Sequence, residues 1–208
     1  MKMIEKHINN FLRNEIKDKS ISIYNEFSLQ HELGIYLRKM LNNENYTVEF
    51  ERNIGDFKKN NNKLKIVKPK KKEIDIVIRH KDSFEVSDTI AIELKYPRNG
   101  AFPKRMTDFD KDIDFMKQLK NEGFKEAYVL TLVEQEPFYK GKNKKEPYKK
   151  YRTVSTIKNG KVYYVNNDCD IKWLILDNDK YDKNRNECLR LYYIKEIYNN
   201  KNEKNIHK

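Results

Sequence analysis

Two short runs constrain this chain more than any global property. Glu73 to Arg79 (EIDIVIR) and Ile90 to Tyr96 (IAIELKY) alternate residue by residue, with the period of two that belongs to a strand. In the first run Ile74, Ile76 and Ile78 share one face, while Glu73, Asp75 and Val77 share the other. In the second, Ile90, Ile92, Leu94 and Tyr96 lie opposite Ala91, Glu93 and Lys95. The residues between the runs include Ser83, Ser87 and Asp88 and suffice to close an antiparallel hairpin with a long loop. Pairing through the isoleucine faces brings Asp75, Glu93 and Lys95 together on the opposite side.

The flanking segments supply the rest of an α/β chain. Ile4, Ile8, Leu12 and Ile16 predict an amphipathic helix, and a second helix is expected after an N-cap at Ser28, with Leu29, Leu33, Tyr36, Leu37 and Met40 as its stripe. Val48, Phe50 and Ile54 predict a strand, and the Lys-rich stretch around Asn60, Asn61 and Asn62 reads as a loop. After Pro97, Gly100 and Pro103, a helix carrying Met106, Phe109, Ile113, Met116 and Leu119 runs to a stop at Gly123. Ala127 to Val133 (AYVLTLV) is continuously apolar, as a buried parallel strand is, so strand, helix and strand form a βαβ crossover. Tyr151 to Ile157 and Lys161 to Val165 flank an Asn159-Gly160 hairpin turn, and Ile171 to Leu176 and Leu189 to Ile194 read as further strands. The expected organisation is one domain over residues 1–198, with a core near 28–134, a C-terminal β extension near 150–195 and a flexible basic tail over 199–208.

Charge narrows the partners. The chain has 44 Lys+Arg and 32 Asp+Glu in 208 residues, a net +12. Lys58 to Lys72 holds eight Lys and no acid, and Phe138 to Arg152 holds seven basic residues and one acid, so the remainder of the chain is close to neutral. Such windows suit a polyanion, with nucleic acid the expected partner and DNA the specific expectation. An AT-rich coding sequence also yields this abundance of Lys, Asn, Ile and Tyr, which leaves an interaction protein with incidental lysines as a rival. Tyr139, Tyr148 and Tyr151 are interleaved with the second window, where they either stack unpaired bases or serve the core. No run reaches the ~18 apolar residues of a membrane span, the first residues are too charged for a signal peptide, and Cys169 and Cys188 match no zinc or disulfide pattern. These features predict a cytoplasmic protein without a membrane partner.

His7, His31, His80 and His207 form no ligand pair, and no Walker loop, GxGxxG or GxSxG pattern occurs. Carboxylate chemistry remains. Hydrolysis of a phosphodiester calls for close carboxylates that hold a divalent cation and for a nearby ammonium. Asp75 and Glu93 are oxygen ligands suited to Mg²⁺, Lys95 projects from the same face, and Glu32 lies at the edge of the second helix's stripe. Glu73 shares Asp75's face and is the alternative ligand. A second Glu-x-Lys, at Glu15 and Lys17, falls in a predicted helix, where side chains two apart diverge by about 200° and cannot address one ion.

In Asp75 of EIDIVI and in Glu93, Leu94 and Lys95 of IAIELKY, after a helix bearing Glu32, the chain resembles the PD-(D/E)xK nuclease superfamily. The resemblance covers roughly Ser28 to Glu134, and Ile74 stands where the namesake proline would precede Asp75. It implies a restriction-endonuclease-like αβββαβ core, a central mixed sheet flanked by helices, with additional C-terminal strands here. It also implies that Asp75 and Glu93 bind Mg²⁺, with Mn²⁺ able to substitute, that Leu94 adds its backbone carbonyl, and that Lys95 assists the attacking water. Glu32 is similar in place to the helix glutamate of Holliday-junction resolvases. A homodimer is a further implication. Lys70, Lys71, Lys72, Arg98, Lys104, Arg105, Lys149 and Arg152 are the expected nucleic-acid contacts. The expected activity is Mg²⁺-dependent DNA cleavage, endonucleolytic in mode; a protein that keeps the fold and binds without cutting, or a nuclease for RNA or branched DNA, is the alternative.

Overall fold

Apolar residues spaced four apart build the first helical layer. In the computed structural model, which describes residues 3–16, 21–42, 45–60, 62–64, 66, 73–98, 104–141, 148–165, 171–176 and 190–198, α1 (Met3–Asn10) runs into a π-helical segment, Phe11–Ile16. Strict four-residue spacing overshoots the α period of about 3.6, and the wider i→i+5 turns return Leu12 and Ile16 to the face of Ile4 and Ile8. All four are buried.

Next, α2 (Glu26–Met40) opens earlier than the sequence predicts. Asn25, not Ser28, is the N-cap: its Oδ1 accepts from the Ser28 backbone N–H at 2.7 Å, and Ser28 Oγ accepts from the Asn25 backbone N–H at 3.0 Å. This reciprocal capping box satisfies two of the helix's open donors. Leu29, Leu33 and Leu37 are buried as expected, whereas Tyr36 is half-buried and Met40 is exposed at the helix end.

The strands follow as β1 (Tyr46–Asn53), β2 (Lys58–Lys59), β3 (Asn62–Lys63), β4 (Glu73–His80) and β5 (Thr89–Lys95), then α3 (Lys104–Glu122), β6 (Glu126–Val133) and the one-turn α4 (Glu136–Tyr139). Ile54, expected in the first strand, falls in a 3₁₀ turn, Ile54–Asp56. The expected Lys-rich loop contains the two-residue ladder of β2 and β3, turned through Asn60 at φ 50. β7 (Val154–Lys158) and β8 (Lys161–Tyr164) form the expected hairpin, with Asn159 and Gly160 both at positive φ, 49 and 69. β9 (Leu174–Ile175) and β10 (Leu191–Glu196) complete the chain.

Six strands make one mixed sheet in the order β1-β4-β5-β6-β10-β9. β4 is antiparallel to β1 and β5, β6 is parallel to β5 across α3, and β10 is antiparallel to β6. The molecule is therefore α/β, with helices on both faces of a mixed sheet. One apolar layer joins α1 and α2 to Ile76, Ile78, Ile92 and Leu94. The other joins α3 to Val77, Ala91, Ala127 and Val129, extended by Phe57, Phe124 and Trp173. Ile74 breaks the expected alternation and packs in this second layer, where β4 begins. Among the described residues no helix is long and apolar enough to cross a membrane.

Candidate functional site

The β4–β5 ladder runs from Arg79↔Thr89 to Ile76↔Ile92. Just past that last pair, the Asp75 carboxylate takes a main-chain donor directly: Leu94 N–H donates to Asp75 Oδ2 at 2.7 Å. The Asp75 carbonyl is engaged as well, accepting from Gln30 Nε2 of α2 at 2.7 Å. The same Gln30 nitrogen lies 2.6 Å from Glu51 Oε1, on the residue where β1 bends through φ 48. Asp75 is thus fixed at both its side chain and its backbone.

Beside it in the sheet, Glu93 is fully buried, and Asp75 is 6% exposed. Burying carboxylates costs free energy unless cations or donors answer their charge. Lys95 is one such cation, its side chain only 11% exposed. Its Nζ lies 3.2 Å from Glu26 Oε1 and 3.3 Å from Asp112 Oδ2, so α2 and α3 each reach it with an acid. Glu26 also accepts from the Tyr96 N–H at 3.0 Å through its other oxygen. Burial pushes the Lys95 ammonium toward losing its proton, but Asp112, Glu26, Glu93 and Asp75, in that order, pull the other way and raise its pKa. Lys95 is held charged among four carboxylates.

Asp75, Glu93 and Lys95 are thereby brought together as the strand pattern predicts. Glu32 is not among them. On α2 it lies roughly 120° around the axis from Glu26 and 160° from Gln30, the two residues that face the site. Glu26 is the helix carboxylate at this place, and placing the N-cap at Ser28 hides it by leaving it outside the helix. Asp112 carries a different signal: an acid within the stripe of Phe109, Ile113 and Met116, buried against the sheet. Glu73 is paired across from Asn53 and is not among the carboxylates that act on Lys95.

The donor set is hard oxygen, the chemistry that suits Mg²⁺. Among the described residues no group of three or more His, Cys, Asp or Glu side chains has the spacing to hold a metal ion. What these side chains offer a cation is thus their donor chemistry alone, with the Lys95 ammonium already among them.

The expected nucleic-acid contacts divide. Arg98 pairs with Glu134 at 3.3 Å and donates to the Tyr96 hydroxyl at 3.0 Å, while that hydroxyl also donates to Glu134. Lys104 and Arg105 open α3 and are exposed, with Arg105 3.7 Å from Asp108. Lys149 is exposed, and Arg152 donates from Nε to the Lys140 carbonyl at 3.0 Å. Lys70, Lys71, Lys72, Cys169, Cys188 and the 199–208 tail lie outside the described residues. The tyrosines of the second basic window belong to the core: Tyr139 and Tyr151 are buried, and Tyr148 packs against the same layer. Tyr151 and Tyr139 are closed to base stacking, because Phe109 and Trp173 from distant segments cover them, while Tyr148 is only half-buried. No family model, no curated protein and no solved structure matches this chain, so the geometry of Asp75, Glu93 and Lys95 is what bears on its function.

Proposed function

We propose that this protein is a Mg²⁺-dependent nuclease that hydrolyses DNA phosphodiester bonds on a restriction-endonuclease-like core. The observation that carries the proposal is the buried set of Asp75, Glu93 and Lys95, gathered where β4 and β5 part. In this reading Asp75 and Glu93, with the Leu94 carbonyl, hold the cation, and Glu26 takes the helix position that the sequence assigns to Glu32. When bound, the cation supplies Lewis acidity at the phosphate and a more acidic water. Lys95, raised in pKa and flanked by acids, acts as a charged donor that orients water or steadies developing negative charge, not as a base. The Leu94 N–H keeps the Asp75 carboxylate in one rotamer, so its other oxygen has a fixed direction.

The test is a cleavage panel of plasmid, single-stranded DNA and RNA, with and without Mg²⁺ or Mn²⁺. Cutting that needs the cation and is lost in Glu93→Ala and Lys95→Ala supports the proposal. No cutting of any substrate, or cutting undiminished in both variants, rejects it. A second reading has its own support in the double engagement of Lys95 by Glu26 and Asp112, which is how a purely structural cation is held. There the protein binds DNA without cutting, with steep salt dependence and no calorimetric signal for divalent metal.

A further inference from the structure

α2 presents a second surface directly beside the acid and lysine cluster. Glu26 and Gln30 face that cluster, and the next strip around the helix carries Phe27 and His31. Phe27 is 68% exposed, far more than a buried helix face would leave it. Its ring stacks on His31, with centroids 6.2 Å apart and planes inclined by 16°. His31 stacks in turn on Phe50 of β1 at 6.4 Å and 25°. The far end of the column is anchored. A Cβ on Gly34 would lie 2.0 Å from Phe50 Cε1, so the ring occupies a notch that only glycine leaves in α2, and the Arg38 guanidinium sits 4.7 Å from the Phe50 centroid.

We propose that the column Phe50, His31, Phe27 is a stacking platform for unpaired bases of a nucleic acid, so that the substrate reaches the neighbouring site single-stranded or locally unpaired. The inference rests on the nuclease reading for its link to cleavage, but not for binding. Three near-parallel rings with one end seated and the other open leave a flat apolar face at Phe27, to which a base can add as the next member. The Arg38 guanidinium keeps its charge at the seated end while its Nε and Nη2 donate to the Val48 carbonyl, and the two Lys-rich windows elsewhere on the chain hold the positive excess behind its net +12, so the molecule as a whole attracts a polyanion over a neutral partner. Glu26, one residue before Phe27 on α2, is ion-paired with Lys95, so the open end of the column rises from the same helix turn that reaches the candidate site.

The experiment is fluorescence anisotropy with labelled oligo(dT) and a duplex of equal length, in EDTA so that nothing is cut. Wild type is expected to bind the single strand more tightly than the duplex. Phe27→Ala should weaken oligo(dT) binding by about tenfold or more, Phe27→Trp should keep it, and duplex binding should change little. Since Phe27 is exposed, both variants should retain the wild-type circular dichroism. Oligo(dT) binding unchanged in Phe27→Ala overturns the platform. So does a shift from dimer to monomer on sedimentation with oligo(dT) binding unaltered, which would assign this face to a second copy of the chain. The two readings fail separately: a protein that never cuts yet loses oligo(dT) in Phe27→Ala keeps the platform, and one that cuts plasmid yet holds oligo(dT) in that variant loses it.

Discussion

Lys95 is where side chains from three elements meet, and its partners differ in what they can be tested for. Glu26 fixes the ammonium with one carboxylate oxygen and the Tyr96 N–H with the other, so it acts on Lys95 as a positioning residue. Glu26→Gln keeps the shape and removes the charge. On the proposed nuclease function, cleavage is expected to fall by about 10- to 100-fold, because a side chain displaced by about 1 Å costs that much in a positioned site. Glu32→Gln, on the other side of the helix, is expected to stay within about twofold, since surface polar changes move little. Denaturant midpoints for both variants check that folding is unaffected; equal losses of activity in the two would remove Glu26's special role. At this scale the sequence was legible for Asp75, Glu93 and Lys95, because a period of two assigns faces without reference to distant residues. It was not legible for Glu26 and Asp112. One depends on which of Asn25 and Ser28 caps the helix, and the other looks like a surface acid until α3 is laid on the sheet.

Elements were read well where periodicity is strong and poorly where packing partners are remote. The alternation of β5, that of β4 from Ile76 onward, the apolar run of β6 and the spacing of α3 survive in the structure, whereas Tyr151 and Tyr139 of the second basic window are covered by Phe109 and Trp173, which no local pattern connects to them. The contact between α2 and β1 is another such case. Gly34 lies within α2, where glycine costs about 0.5–1 kcal/mol relative to alanine, and nothing nearby in sequence announces Phe50 as the reason. Gly34→Ala is expected to destabilise the protein by about 1–3 kcal/mol, because the new methyl group overlaps the ring by more than the gain in helix propensity offsets. Adding Phe50→Ala should make Gly34→Ala neutral or stabilising. A double-mutant cycle of urea unfolding reads this directly as a coupling energy. Coupling near zero would mean that the ring swings aside freely, and the column at Phe27 would lose its fixed base.

Across the whole molecule, the buried hydroxyls of the aromatic side chains set a limit on alkaline stability. Tyr96 and Tyr128 lie in the α1/α2 layer, while Tyr151 and Tyr193 lie in the α3 layer. Burial raises the pKa of all four; Glu134, Glu126 and Asp110 accept from the hydroxyls of Tyr96, Tyr128 and Tyr151 and raise those three further. An unfolded tyrosine ionises near pH 10. Above that pH the unfolded chain releases protons that the folded chain keeps, so the stabilisation is complete below about pH 10 and is lost as pH rises. Lys95 has the same sign, since its raised pKa preserves a charge that the unfolded chain loses from about pH 10.4 upward. Stability is therefore expected to be level in these terms through neutral pH and to fall steeply beyond about pH 10, where Tyr193, buried in full, alone removes about 1.4 kcal/mol per pH unit. Exposed tyrosines such as Tyr24 and Tyr163 should ionise first, with the helical circular dichroism intact, and the remaining tyrosinate absorbance should then rise together with the loss of dichroism, because both layers lose support at once. Tyr193→Phe should make the alkaline fall shallower by that one slope. All fourteen tyrosines ionising near pH 10 with the dichroism intact would mean instead that these four hydroxyls are open to solvent, and the close packing of the two layers over the sheet would be wrong.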